Sequence, residues 1–378
     1  MNWVALKMLT GNRGKYLGII LGVTFAALLI AQQGSIFCGL MLLTTSQIKD
    51  IGGADLWVMD SNVQFIDDIK PLSESDLYRV RGVPGVEWAV RLYKGLSRAR
   101  LQDGKFQQVI LIGLDDATLV GAPQEILLGN LADLRKPDAI IMDKEGFEQL
   151  WPGEPLSVGK TFEMNDRHAE IVGICKARRT FATFPVVFTR YSQATLFAPP
   201  ERKVMSFVLA NCEPGLDLHE VCRRIEAQTG LAALTQQEFS DKTIEYYMNN
   251  TGIPFNFGIT VLLGFLVGTA IAGQTFYLFT LENLKQFGAL KAMGAGNGSL
   301  MRMIVLQASV VGFIGYGLGV GLAALFGELS KKGSKLAFFM PWQVLVGTGA
   351  AVVLISILVS LLSMRKVMVL EPAVVFQG

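Results

Sequence analysis

Four long stretches without a charged residue dominate the hydropathy pattern of this chain. They cover residues 16–48, 246–281, 303–327 and 336–364. Each is longer than the roughly 20 residues that a helix needs to cross the hydrocarbon core of a membrane. The apolar region of a cleaved signal peptide is only about 7–15 residues long, so the first stretch is expected to be retained. The pattern therefore predicts an α-helical membrane protein with four spanning helices, the second of them at 253–281.

The charged block between the first and second spans, residues 49–245, has the composition of a water-soluble domain. It holds most of the 34 Lys and Arg residues and the 32 Asp and Glu residues of the chain. It is also long enough to bury a hydrophobic core of its own. We predict a large α+β domain with two halves at 50–114 and 201–240 and an inserted β-rich lobe at 115–200.

Local signals predict individual elements of this domain. Runs rich in β-branched and aromatic residues predict strands at 54–60, 87–93, 107–114, 170–175, 185–189, 206–210 and 231–235. Ser73 with Asp76 three residues later predicts a capped helix at 73–81. Apolar positions three and four residues apart predict a second helix at 217–230, and a polar helix from Gln236 leads into the second span.

Basic residues in the short flanks of the spans predict their orientation. With four spans, both termini and the segment 282–302 lie on one side of the membrane. That side carries eight basic residues: Lys7, Arg13, Lys15, Lys285, Lys291, Arg302, Arg365 and Lys366. The loop at 328–335 on the other side carries only three: Lys331, Lys332 and Lys335. We therefore predict that an amphipathic N-terminal helix at 1–15, the segment 282–302 and a tail at 365–378 are cytoplasmic.

The segment 282–302 lies between the second and third spans. One apolar stripe recurs along it every three residues: Leu281, Leu284, Phe287 and Leu290. Three glycines then predict a loop before the third span: Gly294, Gly296 and Gly298. A short amphipathic helix tethered to a span at each end can transmit the movement of a docked partner. An ordinary interfacial hairpin has the same pattern, and composition alone favours the hairpin.

Small residues recur within the spans at the spacing that allows two helices to pack closely. Three G-x-x-x-G motifs are present, formed by Gly18 and Gly22, Gly264 and Gly268, and Gly315 and Gly319. Such motifs permit close approach of helix backbones in a membrane. Because glycine is frequent in these spans, each motif alone is a weak signal.

Several classes of chemistry find no support in the sequence. No G-x-x-x-x-G-K-[ST] motif occurs, so ATP that drives this protein is expected to bind another polypeptide. The spans contain no Asp, Glu, Lys, Arg or His, which argues against a transporter coupled to protons or ions. Only two histidines are present, without ligand spacing, and the acidic group Asp55, Asp60, Asp67 and Asp68 lacks the spacing of a calcium loop.

The cysteines leave one question open. Cys212 and Cys222 in the charged block could form a disulfide in an oxidising compartment. Free or buried thiols at these positions are an equally good interpretation. Cys38 lies within the first span, where it is expected to fill space as a small apolar residue.

The layout of one span, a large domain and three spans resembles the FtsX/MacB-like permease family of ABC transporters, also called type VII. The resemblance rests on the stretch LENLKQFGALKAMGA at 281–295, on the N-terminal residues 3–19, on the VPGV motif at 83–86 and on the tail after Arg365. It covers essentially the whole chain. Within the family the chain looks most like the DevC-type permeases, which act with a separate ATPase. Gln286 departs from the family pattern, in which glutamate is common at this position.

This resemblance implies a function by mechanotransmission in a bacterial inner membrane. Two permease copies and two ATPase subunits would act together, with ATP and Mg²⁺ bound by the ATPase. A membrane-fusion protein and an outer-membrane channel would complete a tripartite exporter. The two halves of the charged block would be porter-like. The contacts that couple the permease to the ATPase are expected at Glu282, Lys285, Phe287, Gly288, Lys291 and Gly294.

Two alternatives remain at this point. A similar permease could release lipoproteins or export haem, for which Tyr16 and Met41 are the only nearby ligand candidates. A non-transporting FtsX-like regulator of cell-wall hydrolases is the second alternative, although such regulators usually have a smaller exported domain.

Overall fold

The computed structural model describes residues 2–199, 204–333 and 336–368, with the side chains of 331–333 and 366 excepted. The predicted tail beyond 368, residues 201–203 of the second predicted half and Lys335 of the predicted loop lie outside the described residues. The chain forms two compact units. We call residues 1–40 and 252–378 the membrane unit and residues 41–251 the extramembrane domain.

The elements follow each other along the chain in three groups. The first group consists of α1 (Asn2–Gly11), α2 (Arg13–Thr44) and α3 (Ser46–Asp50). The second contains β1 (Leu56–Met59), α4 (Glu74–Arg81), β2 (Val86–Arg100), β3 (Phe106–Leu114), β4 (Glu125–Gly129), β5 (Ala139–Asp143), α5 (Lys144–Leu150), β6 (Thr161–Met164), β7 (Arg167–Lys176), β8 (Val186–Arg190), α6 (Tyr191–Phe197), β9 (Phe207–Cys212), α7 (Leu218–Thr229), β10 (Ala232–Thr235) and α8 (Gln236–Asn250). The third comprises α9 (Ile253–Glu282), α10 (Leu284–Ala292), α11 (Asn297–Gly333) and α12 (Trp342–Met368).

The predicted fold class is confirmed, because four helices are long and apolar enough to cross a membrane and a large α+β domain lies between the first and second. The four are α2, α9, α11 and α12. Each carries a stretch of high hydropathy with at most two charged residues. Their order along the chain is the predicted arrangement of one span before the domain and three after it.

The ends of these helices differ from the predicted spans. The predicted N-terminal helix at 1–15 ends at Gly11, because the Asn12 side chain accepts a hydrogen bond from Lys15 N at 3.3 Å and caps the start of α2. The first spanning helix ends at Thr44 rather than at residue 48. The fourth begins at Trp342 rather than at residue 336, since a proline at 341 disfavours helix in the residue before it.

The first two and the last two strands of the extramembrane domain form one four-stranded antiparallel sheet. Its strand order is β10, β1, β9, β2, with helices α4 and α7 in the connections. This is the βαββαβ arrangement of a ferredoxin-like split fold. One hydrophobic cluster packs the helices against the sheet through residues such as Leu77, Val80, Val208, Val221 and Ile225.

The second part of the sheet forms the inserted lobe. From β2 the order continues through β3, β8, β5, β7 and β4, and β6 pairs with β2 and β7. The pairs β3–β8 and β5–β7 are parallel. Its helices α5 and α6 contribute Phe147 and Phe197 to a separate buried cluster.

The boundary between the first predicted half and the inserted lobe needs correction. We predicted the strand at 107–114 as part of the first half, but β3 pairs with β2 from Tyr93 to Arg100 and with β8. β2 is a single strand of 15 residues, whose beginning, Val86 to Leu92, pairs with β9 instead. The lobe therefore starts within β2, and the first half ends near residue 92.

Local capping signals determine where the helices of this domain begin. Ser73 accepts a hydrogen bond from Asp76 N, and the Asp76 carboxylate accepts one from Ser73 N at 2.9 Å, so the predicted capping box is confirmed. Asp217 caps the start of α7, and Gly230, with a φ of +71°, caps its end after Thr229. A second capping box, at Thr235 and Glu238, starts α8.

The cysteines are free thiols in the structure. Cys212 and Cys222 are both buried in the cluster beneath the first sheet. Burial raises the pKa of Cys222 to about 12, so this thiol is protonated and unreactive at neutral pH.

Asp143 is a buried carboxylate at the end of β5. It caps α5 by accepting a hydrogen bond from Gly146 N at 2.9 Å, and it accepts another from Val186 N at 2.6 Å. These bonds favour the ionised form, but burial outweighs them and raises the pKa of Asp143 from 3.8 to about 6. The folded protein therefore holds this proton at pH values where the unfolded chain has lost it.

This carboxylate should make the stability of the protein fall as the pH rises from about 4 to about 6. Each unit of pKa difference corresponds to about 1.4 kcal/mol. Asp143→Ser keeps an oxygen to cap α5 but cannot titrate. Between pH 4.5 and pH 6.5, we expect the thermal unfolding midpoint of the wild type to fall relative to that of this variant. A difference that is the same at both pH values would contradict the assignment.

Candidate functional site

The short helix α10 lies between two spanning helices and packs against the core of the membrane unit. Phe287 is completely buried, and Gly288 beside it is buried as well. Leu284 and Leu290 are partly buried against the same cluster. A helix of nine residues is not stable by itself in water, so this packing is what holds it.

Two of the predicted coupling residues bind other parts of the membrane unit. Glu282, the last residue of α9, forms a salt bridge with Lys15 and accepts a hydrogen bond from the Asn12 side chain at 3.3 Å. Lys291 Nζ donates to the carbonyl oxygen of Met368 in α12 at 3.2 Å. The contacts of Glu282 connect the end of α9 to the start of α2, and the contact of Lys291 connects α10 to α12. Because the Glu282 side chain is 56% exposed, its pair adds little stability.

The outer face of α10 remains accessible. Lys285 and Gln286 are exposed, and Met293 at the end of the helix is 75% exposed. Gly294 follows with a φ of +95°, the left-handed conformation that commonly ends a helix. Gly298, which we predicted as part of the loop, lies instead in the first turn of α11.

The structure separates the other four predicted coupling residues into two groups. Phe287 and Gly288 face the core, whereas Lys285 and Gly294 face outward. Sequence reasoning missed Met293. The signal available was a large apolar residue that continues the three-residue spacing of the stripe after Leu290 and stands directly before a glycine.

The helix α1 also packs on the membrane unit. Ala5 and Leu9, four residues apart, are completely buried. The side chain of Gln307 in α11 donates a hydrogen bond to the carbonyl oxygen of Ala5 at 2.8 Å. Trp3 on the opposite face is 70% exposed, so this short helix has one packed and one exposed side.

Four of the predicted packing glycines lie where α2 meets α9. A Cβ atom added at Gly22 would lie 3.0 Å from the backbone nitrogen of Ala272, and one at Gly268 would overlap the Cβ of Ala26. The Cβ positions at Gly18 and Gly264 are 3.2 Å from Thr275 and 3.1 Å from Leu29. Larger residues at Gly22 and Gly268 would therefore push the two helices apart.

The other two glycines lie where α11 meets α2. A Cβ atom at Gly315 would lie 2.7 Å from the Cβ of Val23, and one at Gly319 would lie 2.6 Å from the Cβ of Ala27. The first spanning helix thus packs closely on both α9 and α11.

Tyr16 and Met41, the haem ligand candidates, lie on the same helix. They are 25 residues apart in α2, which at 1.5 Å per residue places them roughly 37 Å from each other. One haem cannot bind both.

Comparisons with known proteins agree with this architecture. The sequence profile of the MacB-like periplasmic core domain matches residues 16–228, and that of the FtsX-like permease C-terminal region matches residues 240–372. An uncharacterised ABC transporter permease of Mycobacterium tuberculosis is 26% identical over 343 residues, which cover 87% of this chain and 86% of the relative.

Two further relatives carry the MacB name. The macrolide export ATP-binding/permease protein MacB of Agrobacterium fabrum is 23% identical over 94% of this chain, which corresponds to 56% of that protein. The crystal structure of the periplasmic region of MacB from Actinobacillus actinomycetemcomitans matches 54% of this chain and 96% of its own, with 15% identity and a TM-score of 0.38.

Proposed function

Since this chain belongs to the MacB/FtsX family of ABC transporter permeases, we propose that it couples ATP hydrolysis by a separate ATPase subunit to movement of its extramembrane domain. The permease is the membrane component of the transporter. The substrate is moved from the outer side of the membrane by mechanotransmission rather than threaded between the spans.

The observation that carries this proposal is the anchoring of α10. Phe287 fixes the helix to the core of the membrane unit, and Lys291 bonds to α12. Movement imposed on the exposed face of α10 is therefore passed to the spans instead of being absorbed by a loose loop. The chain then offers a short route outward, because only two residues separate α9 from α8 of the extramembrane domain.

The proposed contact surface for the ATPase is the outer face of α10, formed by Lys285, Gln286 and Met293. In this proposal Phe287 and Gly288 act as anchors of the helix and do not touch the partner. Glu282 pairs with Lys15 at the cytoplasmic ends of two spanning helices and is not part of the contact surface. The six packing glycines keep the spans close enough to move as one body.

This arrangement requires α1, α10 and the C-terminal end of α12 on the cytoplasmic side. The excess of Lys and Arg in these flanks supports that orientation. The extramembrane domain then lies outside the cytoplasm. For a bacterial inner membrane this is the periplasmic side, where a membrane-fusion protein and an outer-membrane channel would join a dimer of the permease.

ATP binding is assigned to the partner because no G-x-x-x-x-G-K-[ST] motif occurs in the sequence. The closest sequence, Gly159-Lys160-Thr161, leads into strand β6 and not into a helix. The ammonium group of Lys160 pairs with Glu154 at 2.5 Å and lies over the ring of Trp151. A P-loop lysine instead sits at the start of a helix and reaches the phosphates.

Affinity purification of the full chain from its native membrane, followed by identification of the bound subunits, tests this proposal. We expect an ABC-type ATPase to copurify and to hydrolyse ATP in the complex. An adaptor protein in the same complex supports the tripartite exporter, and a cell-wall hydrolase supports the regulator instead. Recovery of the permease without any ATPase, from membranes that contain the assembled transporter, would contradict the proposal.

A further inference from the structure

The extramembrane domain contains a cavity of about 720 Å³ at the point where β2 passes from the first sheet into the inserted lobe. Much of its wall is aromatic, with Phe65, Tyr93, Phe181, Phe184 and Tyr247. A cavity of this size and apolar character is within the range of small-molecule sites in proteins.

Three rings of this wall are held by contacts with each other and with the neighbouring Tyr246. Phe65 stacks on Tyr246 with ring centroids 4.2 Å apart, and it meets Tyr247 edge-on at 5.6 Å. Phe181 lies against Tyr247 at 5.0 Å. These contacts preform the apolar surface, so little conformational entropy is lost when a ligand binds.

The charged groups of the cavity are already paired. The Lys94 side chain is only 3% exposed and forms a salt bridge with Asp67. Asp68 pairs with Lys70 at 2.9 Å. Burial, followed by the nearby Asp67 charge, raises the pKa of Tyr247 to about 12, so this phenol is uncharged at neutral pH. A ligand without net charge suits this lining, because an ion would compete with one of the existing pairs.

Two buried polar side chains of the cavity each have an atom that is not hydrogen-bonded within the described part of the chain. Gln47 is 6% exposed and Thr180 is 4% exposed, and both line the cavity. Gln47 Nε2 and Thr180 Oγ1 have no hydrogen-bond partner among the described residues. Because a buried polar group without a partner costs free energy, these two atoms indicate where oxygen atoms of a ligand would bind.

The wall of the cavity includes the end of the first membrane-spanning helix. Leu43 and Thr44, which line it, are the last two residues of α2. Tyr247 on the other side precedes α9 by only six positions along the chain. The cavity wall therefore includes residues of a membrane-spanning helix, which supports a ligand that comes from the membrane.

We propose that this cavity binds an uncharged amphipathic molecule taken from the outer surface of the membrane. Its apolar part packs against the aromatic wall, and an oxygen of its polar end accepts a hydrogen bond from the Gln47 amide and bonds to the Thr180 hydroxyl. That this molecule is the transported substrate rests on the proposed function, whereas the binding itself does not require the ATPase.

Photolabelling of the full chain in lipid nanodiscs, without the ATPase, tests the proposal. The probe is a monoacylglycerol that carries a diazirine in its acyl chain. We compare it with a fatty acid and an alkyltrimethylammonium of the same chain length and with the same diazirine. Peptide mapping by mass spectrometry should locate the label of the neutral probe at residues 43–47, 65–71 and 180–184.

Thr180→Val and Gln47→Leu remove the unpartnered polar atoms at nearly constant size. Each should reduce labelling by the neutral probe about threefold to tenfold, the loss of one hydrogen bond. Neither should lower the thermal unfolding midpoint of the ligand-free protein, since the removed atom has no partner in it. A merely structural role of these side chains would lower the midpoint. Ala182→Trp, at an exposed position on the cavity wall, should block labelling.

Thr243→Val is the matched control. Thr243 Oγ1 is also buried without a hydrogen-bond partner among the described residues, but it does not line the cavity. It should leave labelling unchanged. If either charged probe labelled the cavity more strongly than the neutral probe does, the proposal of an uncharged ligand would be wrong. Labelling confined to the spanning helices, or undiminished in Thr180→Val, Gln47→Leu and Ala182→Trp, would overturn the site. None of these results depends on ATP coupling, so they leave the proposed function to its own test.

Discussion

Replacing Gly268 by leucine is expected to destabilise the membrane unit by about 3 kcal/mol or more, since there is no room for a side chain where α9 meets α2. A Cβ atom at this position already overlaps the Cβ of Ala26 and lies 3.4 Å from the carbonyl oxygen of Gly22. In a membrane, close packing of this kind is a main source of helix association, because lipid offers no hydrophobic driving force between helices.

Gly258→Leu is the matched control for this prediction. Gly258 lies on the same helix, and a Cβ atom there would meet nothing within 4 Å. Thermal unfolding of the purified protein in one detergent compares the two variants directly. We expect a lower unfolding midpoint for Gly268→Leu and an unchanged one for Gly258→Leu. Equal midpoints for the two variants would show that the contact between α2 and α9 does not limit stability.

A compensating substitution sharpens the same test. Gly268→Ala should also destabilise the protein, although less than leucine does. Ala26→Gly removes the Cβ that the new methyl group would overlap, so the double variant should regain part of the lost stability. The coupling between the two changes then measures this contact alone.

The second large effect is expected at Met293. Met293→Asp should abolish copurification of the ATPase, because it places a charge in the proposed contact surface. Desolvating an unpaired carboxylate at an interface costs several kcal/mol, and a change of about 1.4 kcal/mol already weakens binding tenfold. Since Met293 is 75% exposed, the fold of the permease should be unaffected.

Met248→Asp provides the control for this substitution. Met248 is 41% exposed on α8 of the extramembrane domain, where the ATPase cannot reach it in the proposed orientation. Both variants should be purified with the same yield and unfolding midpoint as the wild type. If Met293→Asp retains the ATPase as well as Met248→Asp does, the outer end of α10 is not the contact surface.

Much of the candidate site could be located from the sequence, but its internal arrangement could not. The apolar stripe correctly placed a short helix between the second and third spans. It did not separate Phe287, which faces the core, from Met293, which faces outward. That distinction depends on how α10 is rotated against helices that are distant in the sequence.

In the extramembrane domain, too, the sequence predicted local features but not how the elements pair. Ser73 and Asp76 determine a helix start within four residues, so the sequence predicted that start correctly. The strand at 107–114 was also predicted, yet its partners were not. A strand pattern specifies which face of the strand is buried and leaves open which neighbour it pairs with. The pairing of β2 with β9 at its beginning and with β3 at its end therefore could not be predicted.

The sequence by itself determined the number and order of the spans, most strands, the capped helices and the family. These features depend on hydropathy and on contacts between residues a few positions apart. Only the tertiary structure decided the close contacts of the six glycines, the buried and exposed faces of α10 and the cavity around Gln47 and Thr180. Each of these joins segments up to about 300 residues apart in the chain, as the contact between Gln307 and Ala5 does. Such contacts depend on the packing of whole elements, which no local pattern records.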